Sequence, residues 1–170
     1  MESSAVDETL EPGPLAPAVA RLALRKARAI AARYRSGLVL GADTVVVVDG
    51  EALGKPADAA EAASMLRRLR GRTHDVMTGV GVVDASTSRE ASQTVTSRVS
   101  MKAYTDAEIA AYVATEEPMD KAGAYAIQGA GGALVESLDG SWSNVVGLPL
   151  EATASLLQRF GAAVSEPPAE

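Results

Sequence analysis

Cysteine is absent from this 170-residue chain, and histidine occurs once, at His74. Neither a disulfide framework, a thiolate metal centre nor a histidine-rich zinc site can be built, so any bound metal must be held by oxygen donors. Aromatic residues are scarce, with one Trp, one Phe and four Tyr, which argues against a stacking platform for single-stranded nucleic acid. Positive charge is in deficit: 16 Lys and Arg face 22 Asp and Glu, for a net charge of −6 and a pI of about 4.9. An acidic surface disfavours DNA or RNA polymers, and an anionic ligand then needs locally gathered cations or a metal. No apolar run reaches the ~18 residues of a membrane span. Residues 1–15 have neither the basic nor the apolar region of a secretory leader, so the expected location is cytoplasmic, with no membrane partner. A chain of this length fits one domain burying roughly 70% of its unfolded surface. That domain is expected to cover residues 1–163, and Pro167-Pro168 marks residues 164–170 as a disordered tail.

What the chain does have is an alternation of helical and strand patterns without internal repeats. Apolar residues at Val19, Leu22, Ala23, Ala27, Ile30 and Tyr34 predict a helix over Pro17 to Arg35, stopped by Gly37. A β-branched run from Leu38 to Val48 predicts a buried strand, and Asp49-Gly50 a hairpin turn after it. Asp58 and Glu61 have capping-box spacing for a second helix ended by Gly71, and Thr105 and Glu108 for a third through Thr115. Residues 73–84 and 93–101 read as an antiparallel strand pair. A glycine-rich segment from Asp120 to Gly132 leads to a strand over 133–138. Trp142 to Val146 reads as a further short strand, and Pro149, at the first helical position, opens a last helix to Phe160.

The stretch Gly41-Ala-Asp43-Thr44-Val-Val-Val-Val48-Asp49-Gly50-Glu-Ala-Leu-Gly54-Lys55-Pro56 carries the chemistry. A charge at Asp43, inside an apolar run, sits at the edge of a core and needs a partner. The hairpin turn is expected to bring Gly54-Lys55-Pro56 back beside Asp43 and Thr44, which suggests a site for a metal-bound phosphate. The alternative is an Asp that caps a strand and a Lys in solvent. Other chemistries fail on spacing. Gly50 to Lys55 echoes a P-loop, but it is one residue short and Pro56 stands where the magnesium-binding hydroxyl belongs. There is no Gly-x-Ser-x-Gly elbow, and His74 has no cysteine or evident serine partner, so it reads as a hydrogen-bonded structural histidine.

Five segments taken in order closely resemble the Maf family of nucleoside triphosphate pyrophosphatases. They are Gly41-Ala-Asp43-Thr44-Val-Val-Val47, Gly54-Lys55-Pro56, Gly71-Arg-Thr-His74-Asp-Val-Met-Thr-Gly79-Val80, Asp120-Lys121-Ala-Gly123-Ala-Tyr125-Ala-Ile127-Gln128-Gly129 and Asn144-Val-Val-Gly147-Leu-Pro149-Leu150. Val6-Asp7-Glu8 and Arg21-Leu-Ala-Leu-Arg25-Lys26-Ala27 also look like the family's first acidic motif and following helix, so the match covers about residues 6 to 160. The resemblance implies an α/β fold with an extended mixed β-sheet and flanking helices, two lobes around a cleft, as in the inosine triphosphate pyrophosphatase-like group. It implies cleavage of the α–β phosphoanhydride of a nucleotide, yielding a nucleoside monophosphate and pyrophosphate, and a possible homodimer.

The residues suit that implied chemistry. A triphosphate carries about four negative charges, and like charges ~4 Å apart cost about 4 kcal/mol per pair at an effective dielectric of ~20, so a carboxylate beside it calls for a bridging Mg2+ or Mn2+. Asp43 is then the general base or a metal ligand for the attacking water, Glu8 a second metal carboxylate, and Lys55 and Lys121 phosphate clamps. Lys26 is the weaker substrate-binding candidate, since a helical lysine can be merely solvated. Thr44 and Gln128 resemble the base-reading positions of the branch acting on thymidine and uridine triphosphates, or else are a plain β-former and a loop amide. One departure stands out. Family members begin with a strand and a Ser-x-Ser-Pro-x-Arg-like loop that grips the triphosphate, whereas this chain opens at Met1-Glu-Ser-Ser-Ala-Val6-Asp7-Glu8 and holds no Ser-Pro pair. A shortened N-terminus with weak hydrolysis is therefore expected. The alternative is a non-catalytic nucleotide-binding or regulatory protein linked to septum formation.

Overall fold

The computed structural model describes residues 6–165. The part of the expected tail from residue 166 onward lies outside the described residues. Helix α1 spans Leu15–Ala31, strand β1 Leu38–Val48, β2 Glu51–Leu53, helix α2 Ala59–Leu69, β3 Thr73–Asp84 and β4 Glu90–Met101. Helix α3 (Asp106–Val113) is followed by 3-10 turns at Glu117–Asp120, Ala122–Ala124 and Ala130–Leu134. Strand β5 (Val135–Asp139) and helices α4 (Trp142–Val146) and α5 (Leu150–Arg159) complete the order. The strands form one sheet in the order β2-β1-β3-β4-β5, flanked by helices, so the expected α/β class holds. The resemblance implied mixed strand directions, and the described sheet is antiparallel. Asp49 and Gly50 both take positive φ, 55° and 78°, the backbone that a two-residue hairpin turn requires. They set β1 against β2 with Val46 opposite Leu53. No helix among the described residues is long and apolar enough to cross a membrane.

The fold separates into two compact units. One takes the chain through Thr44, Met77–Val95 and Gly147 onward; the other takes Val45–Val76 and Thr96–Val146. In the first, α1 buries Ala18, Val19, Leu22, Ala23, Ala27 and Ala31, the stripe that its 3.6-residue spacing projects to one side. Strand glycines let it sit very low: a Cβ on Gly41 would lie 2.4 Å from the carbonyl oxygen of Ala23, and one on Gly79 would lie 2.5 Å from that of Val19. Thr94 Oγ1 donates to the carbonyl of Ala16 at 2.6 Å and holds the start of the helix. Val80 and Val82 pack with Leu156 of α5.

In the second unit, α2 presents Ala62, Met65, Leu66 and Leu69 to a core that includes Val46, Val76, Val99, Met101 and Ile109. Leu66 and Leu69 are fully buried, each worth about 1.5–3 kcal/mol of hydrophobic transfer. Asp58 caps α2 by accepting from the Glu61 amide, but Glu61 turns to the Ala57 amide, so the expected box is only half formed. Thr105 and Glu108 form the complete box.

Apart from shifts of one or two residues elsewhere, as at β5 and the end of α3, three segments differ from expectation. Helix α1 begins two residues before Pro17 and ends at Ala31, where two backbone turns, Arg33 to Ile30 and Tyr34 to Ala31, unwind it toward Gly37. Strand β4 starts at Glu90, since the turn after Asp84 is short: the Asp84 amide already bonds the carbonyl of Arg89. Trp142–Val146 is a helix and not a strand. Ser141 accepts from the Asn144 amide through its hydroxyl and starts that turn, while buried Asn144 donates to the Val76 carbonyl at 3.0 Å and to Ser97 Oγ at 2.9 Å. Those tertiary bonds decide the conformation of a segment too short to have a preference of its own.

Candidate active site

The low seat of α1 sets the first group of candidate side chains. Along β1, Gly41 and Asp43 point to the same face. Because the backbone at Ala23 and Ala27 touches Gly41, the next lysine on the helix, Lys26, reaches Asp43. Its Nζ donates to Asp43 Oδ1 at 2.6 Å and pairs with Glu8 Oε1 at 2.7 Å. The Lys26 and Asp43 side chains are only 17% and 13% exposed, and Glu8 is open at 56%. Burial disfavours the Lys26 charge, but the hydrogen bonds it donates to Asp43 and Glu8 outweigh that and raise its pKa above the ordinary lysine value. The structure thus brings together the two carboxylates expected to hold a metal, with the lysine expected to matter least as the group that joins them.

Glu8 is placed by its neighbours. Arg25 Nη2 donates to the carbonyls of Asp7 and Thr9 at 2.7 and 2.9 Å, on either side of Glu8. The Asp7 carboxylate folds back on the Thr9 amide and hydroxyl, a local turn of the kind Asp favours. Thr44, on the opposite face of β1 from Asp43, shares a 2.9 Å hydroxyl–hydroxyl bond with Thr78 of β3. Sequence reasoning did not single out Thr78 or Arg25. The signal available for Lys26 was its place at the border of the apolar stripe, between Leu22 and Ile30.

In the second unit the two expected phosphate lysines share one neighbourhood. The Gly123 amide donates to the Gly54 carbonyl at 3.0 Å, which fixes the loop carrying Lys55 against the segment that follows Lys121. Lys121 pairs with Asp120. The Asp120 carboxyl is held below its usual range, first by the Lys121 hydrogen bond, and the charge of Lys55 adds to the effect. Lys55 itself is exposed and flanked by buried Leu53 and Pro56. Gln128 is exposed on the loop after buried Ile127.

His74 is structural, as expected. It is 3% exposed, with Nε2 2.8 Å from Tyr125 Oη and the rings edge-on at 5.5 Å. Burial lowers its pKa to about 4, so the imidazole is neutral at ordinary pH.

Glu8 and Asp43 supply only oxygen donors and converge on one ammonium. Such a pair fits a hard cation such as Mg2+ or Mn2+, which takes one or two protein carboxylates and fills its remaining positions with water and phosphate oxygens.

An α/β fold in which Asp43 of β1 and Glu8 of the segment before α1 meet on one lysine is a scaffold suited to phosphate chemistry. The profile of the Maf family, described as Maf-like protein, matches residues 1–160, and the chain belongs to this family. It is 52% identical over 161 residues to the dTTP/UTP pyrophosphatase of Pelotomaculum thermopropionicum, covering 94% of this chain and 84% of that relative. It is 50% identical over 162 residues to the dTTP/UTP pyrophosphatase of Moorella thermoacetica, covering 95% and 84%. The protein of the same name from Symbiobacterium thermophilum is 54% identical over 143 residues, covering 84% and 73%.

Proposed function

We propose that this protein is a nucleoside triphosphate pyrophosphatase that hydrolyses the α–β phosphoanhydride of dTTP- and UTP-like pyrimidine nucleotides, releasing a nucleoside monophosphate and pyrophosphate with the help of Mg2+ or Mn2+. The observation that carries this reading is the convergence of Glu8 and Asp43 on Lys26 in a chain whose relatives are named for that activity. A divalent cation held by Glu8 and Asp43 would neutralise phosphate charge and lower the pKa of a coordinated water.

The chain's own groups do the rest. Asp43, half-buried and oriented by Lys26, serves as general base or as a metal ligand for the attacking water. Lys26 keeps the two carboxylates together, offsetting their mutual repulsion. Lys55 and Lys121 bind phosphate oxygens as point charges. Asp120 holds the Lys121 ammonium when no phosphate competes for it. Gln128 offers a donor and an acceptor to a pyrimidine edge, and Thr44 contributes a hydroxyl whose orientation Thr78 fixes.

The test is pyrophosphate release from UTP and dTTP with Mg2+, compared with the same assay in excess chelator. Metal-dependent release with the monophosphate as co-product is the expected result. Release of orthophosphate alone, or nucleotide binding without turnover, would overturn the reading.

A further inference from the structure

The loop bearing Gln128 is fixed at both ends by one carboxylate and one phenol. Glu117 Oε2 accepts from the Ala130 amide at 3.0 Å, while Oε1 accepts from the Gly131 amide at 3.0 Å and from the Tyr112 hydroxyl at 2.8 Å. On the other side of Gln128, the same Tyr112 oxygen accepts from the Ala126 amide at 3.1 Å. The fit is close: a Cβ on Gly129 would lie 2.4 Å from Glu117 Oε2, and one on Gly131 would lie 2.5 Å from Tyr112 Oη and 2.7 Å from the Ala126 carbonyl oxygen. Tyr112 is 5% exposed and belongs to α3, so a helix end supports the loop. Glu116, at φ +62°, turns the chain sharply just before Glu117. The amides of Gly131 and Ala130 and the phenol hold the Glu117 carboxyl below its usual range, Gly131 being the largest contributor.

A loop needs this much support when its tip must be held in one place. Ile127 is buried and Gln128 exposed, so the pinned backbone fixes the point from which the Gln128 side chain leaves the loop toward solvent. We propose that Glu117 and Tyr112 are positioning residues for base selection: by pinning residues 126–131 they hold the Gln128 amide in register with a pyrimidine edge. The inference rests on the reading of Gln128 as the base contact. An amide that wanders still finds hydrogen bonds, but it finds them with any base. Loss of the pin therefore relaxes selectivity, acting on KM for the preferred nucleotide more than on kcat.

The experiment measures kcat and KM for UTP and CTP, with Mg2+, for wild type, Tyr112→Phe, Glu117→Gln, Gln128→Ala and the double variant Glu117→Gln/Gln128→Ala. Amide hydrogen exchange at residues 126–131 and the thermal midpoint are recorded for each. Glu117→Gln keeps volume but offers one acceptor oxygen in place of two, and Tyr112→Phe keeps the ring; if either variant does not fold, the other carries the test. The expected result is a fall of roughly tenfold in the UTP-over-CTP ratio of kcat/KM for each single variant, in line with the cost of a misplaced contact group. Faster exchange at Ala130 and Gly131 accompanies it, and the double variant is no less selective than Gln128→Ala alone. If Gln128→Ala lowers the ratio while Glu117→Gln and Tyr112→Phe leave it unchanged, the positioning role is wrong and base reading stands. If Gln128→Ala itself leaves the ratio unchanged, base reading by Gln128 is wrong and the positioning role falls with it.

Discussion

Lys26 of α1 and Asp43 of β1 are joined by a 2.6 Å ion pair whose side chains are only 17% and 13% exposed. Truncating one partner of such a pair leaves the other charge partly desolvated and uncompensated, which costs more than the pair contributes. Here Glu8 provides a second carboxylate at 2.7 Å, so the three groups form a small network. Its geometry depends on how closely the helix approaches the strand, and that approach depends on glycine.

Gly41→Ala is therefore expected to damage the fold and the site together. Its Cβ would lie 2.4 Å from the Ala23 carbonyl and 2.9 Å from the Ala27 amide, backbone atoms that cannot yield without lifting α1. Overpacking of this kind costs about 1–3 kcal/mol or more, and a lifted helix carries Lys26 away from Asp43. Gly54→Ala is the control, since a Cβ there meets nothing within 4 Å. Chemical denaturation of both variants should show a clear loss for the first and a change within about 0.5 kcal/mol for the second. Similar losses in the two would mean that glycine contact with the helix does not govern α1.

Asn144→Ala is expected to destabilise the second unit by about 2–4 kcal/mol, because it removes two hydrogen bonds from a group with no solvent access. Ser97 Oγ loses one partner and keeps its bonds with Ser141, whereas the Val76 carbonyl loses a buried donor. A urea midpoint equal to that of wild type would contradict this account of α4.

Features whose cause is local were readable from the sequence. Asp49-Gly50 predicts its hairpin because both residues tolerate positive φ, and Thr105 with Glu108 predicts its cap because four residues suffice to build it. Asp43 stood out as a charge inside a β-branched run. The helix at Trp142–Val146 was not legible, because Ser97 and Val76, distant in sequence, decide it. That Lys26 is paired and not solvated was not legible for the same reason. A lysine on a helix border looks solvated until the helix is known to lie against Gly41. The Glu117 pin on residues 130 and 131 likewise has no sequence pattern, since it joins groups through a fold of the chain.

Acid stability should report on His74. The unfolded imidazole takes its proton near pH 6.5, but in the fold burial lowers that to about 4, with Asp75 opposing only in part. Below pH 6.5 the unfolded state binds a proton that the folded state does not, so stability is full above 6.5, falls as pH drops toward 4, and levels off below that. The loss approaches about 3 kcal/mol at most. His74 is the single histidine, so the slope between pH 6.5 and 5, above most carboxylate titrations, isolates it. His74→Gln keeps a hydrogen-bonding group beside Tyr125 without a titrating ring, and its thermal midpoint should be flatter across that window. An unchanged slope would place the effect elsewhere.

Asp43→Asn and Lys26→Met separate the roles within the carboxylate–ammonium network. Asp43→Asn keeps shape while removing the charge proposed to act as base or metal ligand, so turnover of UTP should fall by about 10²–10³ or more, with the folded state retained because Lys26 keeps its pair with Glu8. Lys26→Met leaves Glu8 and Asp43 without the ammonium they share. Their repulsion then favours any cation that can replace it, so Mg2+ binding measured by calorimetry without nucleotide should tighten while stability and turnover both fall. The two variants thus move metal affinity in opposite directions, weaker in Asp43→Asn and stronger in Lys26→Met. If Asp43→Asn turns over UTP at the wild-type rate, Asp43 is not the reacting carboxylate. If Lys26→Met binds Mg2+ no better than wild type, the two carboxylates are not the pair that holds the cation.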